Sequence, residues 1–376
     1  MVSGRWVSAL AVVVTGMGLA VGQPGLPVQP AGAKPPLPSV LPVSNSEPKM
    51  LDVTPPELKE HGGHGGGHGE YPPGGHVKTL CNVEEEIPGQ FFGFGEFLIW
   101  RPRLDSTDYA LVDPTNNLTP QGRVRNLKYD SNGGFRVGIG YRIPGQGWDV
   151  GFAYTYFRTN GSDSTAAPAG GVIYPTLTRP GVVDRVGTAA VSGGLDYNVF
   201  DLDIGRTWEA DPHLVLRTFG GIRWARINLD QTATYDGIHA NNASVRNSSD
   251  FTGTGPTAGL EARWAITHGL AMFGNVRGGL LYGEFGNAVR ETNGNGQVLN
   301  ADVSDDFTGL APFASIALGG SYTWNTLTFS AGYEVTQYFN LSTRPVLVDD
   351  FAEGKVVRRR SDLNFDGVFF RVALAY

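Results

Sequence analysis

The stretch VFFRVALAY at 368–376 decides the reading of the whole chain. Val368, Phe370, Val372, Leu374 and Tyr376 fall on one face of an extended strand, while Arg371, Ala373 and Ala375 fall on the other. A helix would scatter these apolar residues around its circumference, so the period of two means a strand between two different environments. WDVGFAYTYFR (148–158) and FRVGIGYR (135–142) alternate in the same way. Ten such runs follow one another, at 91–101, 133–143, 148–158, 194–208, 213–235, 246–266, 270–290, 306–324, 327–340 and 365–376.

The segments between the runs carry as much information as the runs. Tight connections centre on IPGQG (143–147), EADP (209–212), THG (267–269) and Asn325, and they alternate with mostly long, polar ones such as 102–132, 159–193 and 341–364. Short turns on one side and long loops on the other are the pattern of a transmembrane barrel with both termini at the short-turn end. The fold expected is all-β: an antiparallel transmembrane β-barrel of about ten strands, within a range of eight to twelve, since 182–192 has room for another strand.

Tryptophan positions bear on the same idea. Trp148, Trp208, Trp264 and Trp324 each lie within a few residues of a short turn, while Trp100 and Trp224 lie roughly ten residues further along their strands, about 25 Å higher at the usual rise and tilt. With Tyr376, these six are expected to form aromatic belts at the two membrane interfaces. A terminal aromatic with apolar residues at alternate positions before it also suits recognition by a barrel-assembly machinery.

Charged residues on the face opposite the lipid must line the interior, because an Arg facing the bilayer midplane costs about 2–4 kcal/mol. That face carries Glu96, Arg136, Arg142, Asp149, Asp201, Asp203, Arg217, Arg223, Glu261, Arg263, Arg277, Glu334 and Arg371. Gly, Ala, Ser and Thr are frequent beside them, and Gly138, Gly140, Gly151, Gly278 and Gly332 lie inside strands, which implies room for water. Seven Arg and six carboxylates either line a narrow polar pore for small hydrophilic solutes or ions, or pair and close a structural or adhesive barrel. Around Val199 and Phe200 the apolar face changes side, from Leu195 and Tyr197 to Leu202 and Ile204, which suggests a bulge.

Composition agrees with a lipid-facing β-protein. Of 376 residues, 17% are charged and 53 are Gly, without a collagen period. A single Cys, Cys81, excludes a disulfide framework or Cys-rich zinc site, and a net charge of −7 argues against nucleic acid as a partner. Outer-membrane lipid and small solutes or ions are the partners expected.

Before the barrel, residues 1–22 have the form of a secretory signal: Arg5, then the apolar stretch Trp6–Ala20, with Ala20 and Gly22 at cleavage spacing. Residues 23–90 contain 13 Pro and 11 Gly and are expected to be a disordered periplasmic spacer. It holds His61, His64, His68 and His76, which on so flexible a tract would capture zinc, copper or nickel only weakly. No cofactor is expected. A rim hydrolase would draw on His239 and Asp236 in the third outer loop with Asp302, Asp305 and Asp306 in the next, but no catalytic motif supports it and no enzyme is expected.

FFGFGEFLIWRPRLDSTDYAL (91–111), WDVGFAYTYFR (148–158), LDYNVFDLDIGRTW (195–208), LRTFGGIRWARI (216–227) and FTGTGPTAGLEARWAITHGLAMFGNVRGGLLYGEF (251–285) resemble, in order, the Legionella major outer-membrane-protein-like, pore-forming family. The resemblance spans 91–376 and implies a bacterial outer-membrane β-barrel with pore activity. It leaves the spacer outside and carries no catalytic residue.

Overall fold

A computed structural model describes residues 89–375 except Leu118, Asp350, Ala352 and Glu353. The expected signal, the spacer up to Pro88 with its four histidines, Cys81 and Tyr376 lie outside the described residues, and Gln90, placed at the spacer's end, is the first residue of a strand. Among the described residues thirteen strands occur: β1 (Gln90–Leu104), β2 (Asp108–Asp113), β3 (Arg123–Asn126), β4 (Asn132–Arg142), β5 (Trp148–Ala166), β6 (Val172–Pro175), β7 (Thr188–Asp211), β8 (Leu214–Gly237), β9 (Ala240–Ala265), β10 (Leu270–Asn293), β11 (Val298–Trp324), β12 (Leu327–Leu347) and β13 (Val356–Ala375).

Ten of them close a barrel in the order β1-β13-β12-β11-β10-β9-β8-β7-β5-β4, each antiparallel to its neighbours. The ten expected runs are these ten strands, and the stretch 182–192 adds no eleventh because its end is simply the start of β7. The four short turns are where the spacing put them.

The outer connections are different from expectation. β8 and β9 are joined only by Ile238 and His239, and β10 and β11 by 294–297, so Asp302, Asp305 and Asp306 stand on β11 and not in a loop. β7 to β11 run for 24 to 27 residues. At the usual rise and tilt that is roughly 60 Å, about twice the height of an apolar band.

The outward face records where lipid gives way to water. Along β7 it reads Ile204, Leu202, Phe200, then Asn198 and Asp196; along β8, Ile222 and Trp224, then Arg226 and Asn228; along β10, Leu280 and Tyr282, then Glu284. The inward face changes in the opposite sense at the same level: Asp203 and Asp201 are followed by Val199, Tyr197 and Leu195, all buried. The expected bulge at Val199–Phe200 is therefore absent. Val199↔Ala225 and Phe200↔Trp224 pair in unbroken register, and the apolar residues change face because the medium outside changes. Below this boundary the barrel is apolar outside and charged inside, and above it the polarity is that of a soluble protein.

Two elements fill the outer mouth. The connection after β1 supplies β2 and β3 and the connection after β5 supplies β6 to a small sheet, β3-β2-β6, whose Tyr109 carbonyl accepts from Tyr235 Oη at 2.7 Å; Tyr109 and Ile173 in it, and Leu127 just beyond β3, are buried. Burial pushes the Tyr109 phenol above its ordinary pKa. Burial alone would raise Asp113 at the end of β2, but donors from Gln121 N, Thr115 N and Thr115 Oγ1 outweigh it and hold the carboxyl below the usual range.

The second element is the upper β12–β13 hairpin. β12 pairs with β11 only up to Phe313↔Tyr338; beyond a register shift, with Asn340 at φ 54°, it pairs with β13 alone. Thr343 N then reaches Ser249 Oγ on β9 at 3.3 Å, three places round the ring, so the hairpin leans across the lumen.

The boundary makes a stability prediction. Leu202→Arg is expected to cost about 2–4 kcal/mol in urea unfolding from phospholipid vesicles. Ser192→Arg, on the same face of β7 above the boundary, is expected to change stability by less than about 0.5 kcal/mol.

Candidate functional site

The thirteen charged residues assigned to the interior do project inward. Alternation along the strands decides this: Glu96 shares its face with buried Leu98, Asp201 and Asp203 with Val199, and Glu334 with Thr336 and Tyr338.

Ten of them are not spread along an open channel, however, but gathered into ion-paired groups. Arg136 Nη1 meets Glu96 Oε1 at 2.6 Å and its Nη2 meets Glu334 Oε1 at 3.1 Å, while Arg371 Nε takes the other Glu96 oxygen at 2.6 Å. Ser315 and Thr336 hydroxyls donate to Glu334 Oε1, each at 3.3 Å. Across the lumen, Arg223 holds Asp201 in a fork of 2.7 and 2.9 Å, and Arg277 reaches Asp201 at 2.9 Å and Asp203 at 2.5 Å. Nearer the short turns, Arg217 grips Asp149 with both nitrogens. Arg142 and Arg263 lie lower still and donate to neutral groups, Gln90 Oε1 at 3.2 Å and Thr323 Oγ1 at 2.8 Å. Glu261 faces Arg217 as its partner across the β8–β9 ladder.

Above the charges the lumen is crossed outright. Tyr197 on β7 and Tyr338 on β12 stand five places apart in a ring of ten, on opposite walls, yet their hydroxyls are 2.7 Å apart. Arg223 Nη1 donates to the Tyr338 oxygen at 3.1 Å, tying this crossbar to the ion pairs beneath it. Phe365 packs on Tyr197 at 4.8 Å and on Trp100 at 5.4 Å, and Phe313 stacks on Tyr338 at 5.4 Å. Guanidinium groups lie against the same rings, Arg223 over Phe313 at 4.2 Å and Arg136 over Trp100 at 5.5 Å.

Trp100 accordingly does not belong to a membrane belt. It is 1% exposed and points into the lumen, because even-numbered residues of β1 face inward and Ile99 and Phe97 are the ones facing lipid. Trp148, Trp208, Trp264 and Trp324 do face outward at the short-turn end, and Trp224 faces outward near the upper boundary.

Three of the in-strand glycines, Gly138, Gly140 and Gly332, also differ from expectation, since they do not leave room for water, and Gly278 faces outward. Gly138 and Gly140 stand directly across from Phe94 and Phe92, whose rings occupy the space a Cβ would need. Gly332 serves Phe369 and Gly259 serves Phe219 in the same way. An inward Phe thus lies along the wall over a neighbouring Gly, the aromatic–glycine pairing that steadies sheets at such positions. Sequence reasoning missed Tyr197, Tyr338 and Trp100, although each has the parity of a charged residue already placed inside.

Among the described residues no group of three or more His, Cys, Asp or Glu is placed to hold a metal ion. Breaking the pairing should be costly: Asp201→Ala leaves Arg223 without a carboxylate and Arg277 with Asp203 alone, and is expected to lower stability by about 3–5 kcal/mol in urea unfolding. Adding Arg223→Met should recover part of that loss in the same measurement.

The chain matches the model for the Legionella pneumophila major outer membrane protein precursor over residues 91–376. No curated protein matches the chain in sequence. Among solved structures, the outer membrane protease OmpT of Escherichia coli is 12% identical, with 78% of this chain and 99% of that one covered at a TM-score of 0.48. The toluene transporter TodX of P. putida is 11% identical over 76% of this chain and 89% of its own, TM-score 0.34. OprG of Pseudomonas aeruginosa is 10% identical over 78% and 99%, TM-score 0.26. The family model spans the whole barrel in sequence, and the chain belongs to the family of the Legionella pneumophila major outer membrane protein, a β-barrel of the bacterial outer membrane.

Proposed function

We propose that the barrel is a narrow pore for small ions or hydrophilic solutes, held shut in the state described by the Tyr197–Tyr338 crossbar and the ion pairs below it. The observation that carries this is the contrast between the two halves of one lumen. Above the membrane boundary the chain fills its interior with apolar side chains such as Leu195, Ile227 and Phe285. Within the membrane it uses thirteen ionisable ones, although well-packed apolar residues would hold a closed interior at least as firmly. Several charges also have two partners: Asp201 two arginines, Glu96 two arginines, Arg136 two carboxylates. Such a network can exchange partners without leaving a bare charge.

A closed structural or adhesive barrel is the second reading, favoured by the aromatic packing around Trp100 and by the loop seated in the outer mouth. We assign a catalytic role in neither reading: Asp305 is held by Arg358 in a fork of 2.6 and 2.7 Å, and Asp302 and Asp306 face outward on β11. As partners we propose outer-membrane lipid on the apolar band and a barrel-assembly machinery that reads the last strand through Val368, Phe370, Val372 and Leu374.

Planar-bilayer recording tests the pore. The natural protein is expected to give small, rare conductance steps. Tyr338→Ala and Tyr197→Ala each remove a hydrogen bond worth about 1 kcal/mol together with ring packing, and should raise the open fraction at least about fivefold. Silence from all three proteins at every voltage would leave the closed barrel as the function.

A further inference from the structure

The hairpin that leans across the lumen is jointed to the barrel wall. At its base three residues of β12, 339–341, stand against the single Asp362 of β13, and Asn340 adopts the left-handed backbone at φ 54°. An excess of residues in one strand bends the ladder, so the part above can leave the wall to which the part below belongs. Asp362 holds the joint, accepting from Asn340 N at 2.8 Å and from Gln337 Nε2 at 2.9 Å. Beyond it the wall is split: among the described residues β11 has no ladder partner on this side over 298–312. Each of the two separated edges also carries a proline, Pro312 and Pro345, with no N–H to offer a ladder.

Side chains, not a ladder, therefore tie the hairpin to the rest of the mouth. Arg358 grips Asp305 of β11, and Arg359 meets Asp108 at 2.9 Å with Arg344 3.8 Å from the same carboxylate. Arg358 and Arg359 stay nearly half exposed, so these ties are weak and open to screening. The seat is polar as well. Ser342, Thr343 and Arg344 are buried there, and Thr343 N donates to Ser249 Oγ, whose partner across the ladder is the buried Asn287. Thr343 Oγ1, Arg344 Nη1, Asn247 Nδ2 and Asn287 Oδ1 are walled off from water without a hydrogen bond among the described residues. Each such atom disfavours the seated state, and raising the hairpin lets water reach it. The small sheet β3-β2-β6 sits differently, on buried Tyr109 and Ile173 with the Tyr235 hydroxyl bonded. Of the two elements in the mouth, the hairpin is the one built to leave.

We propose that 342–347 and 356–361 form a lid on the outer mouth, pivoting at Asn340 and latched by Asp305 and Asp108, which rises to admit water and small solutes to the lumen above the Tyr197–Tyr338 crossbar. Tyr338 is the last residue of β12 paired to β11, so lid and crossbar meet at the joint. The lid depends on contacts above the crossbar and operates whether or not the barrel conducts.

Cysteine labelling tests it on the full chain purified from outer membranes, with Cys81→Ser as background. Thr343→Cys reports on the underside of the lid, and Val199→Cys, buried below the crossbar, reports on the barrel itself. Each is exposed to a small charged methanethiosulfonate, with the natural latch and with Asp108→Asn and Asp305→Asn combined. Labelling follows the population of the open form, so Thr343→Cys is expected to react at least about tenfold faster once the latch is removed, while Val199→Cys stays as slow as before. An unchanged rate at Thr343→Cys would mean a fixed plug, and equal acceleration at both positions would mean general loosening; either outcome overturns the lid. A gel shift on heating establishes that each variant is folded. Should the latch variants fail to fold, hydrogen exchange of the natural protein decides: the amides of 342–347 and 356–361 are expected to exchange as one group and faster at high salt, with those of 327–338 unaffected. Exchange of the hairpin that ignores salt overturns the proposal.

Discussion

Hydrocarbon offers no hydrogen bond to a peptide group, so a sheet placed in lipid must have no edge. Every other feature of this chain follows from how that requirement is met. β1 pairs with β4 on one side and with β13 on the other, which closes the ring at ten strands. Closure assigns each side chain to one of two media by parity alone. A single substitution can change what a residue is, but it cannot change which side of the wall it occupies.

Ten strands enclose a lumen that ordinary side chains can span. The ion-paired layer and the tyrosine crossbar are two ways of spanning it, one suited to the section within the membrane and one to the section just above. Phenylalanines lying over glycines line the lower wall and give the guanidinium groups apolar faces to rest on, as Arg217 and Arg277 do against Phe219 at 5.1 and 4.7 Å. The interior charges are thereby packed as well as neutralised, which makes exchange of partners the least disruptive way for the layer to rearrange.

The period of two, the four short turns and the inward charges were all legible in the sequence, because alternation is a property of the chain itself and needs no knowledge of neighbours. Four things were not. The change of face at Val199–Phe200 looks like a defect until the medium outside is known to change there. Trp100 looks like a belt residue by height, yet parity from Phe97 and Ile99 points it inward. The glycines of β4 look like vacancies because the Phe rings that occupy them belong to β1, and the register joining the two strands is not written in either one. The leaning hairpin was out of reach for the same reason, since its contact with β9 spans 94 residues.

Glu96 sits on the first strand of the barrel and divides its two oxygens between Arg136, 40 positions later, and Arg371, 275 positions later. The nearer arginine can arrive while the chain is still an open sheet. The farther one arrives only when the last strand meets the first, which is the slowest loop for a chain to close. An unfinished barrel therefore leaves one Glu96 oxygen unmet at one open edge and Arg371 without its carboxylate at the other, and that bare cation discourages the edge from sinking into the bilayer. Assembly in the wrong order is penalised by the same residue that rewards completion.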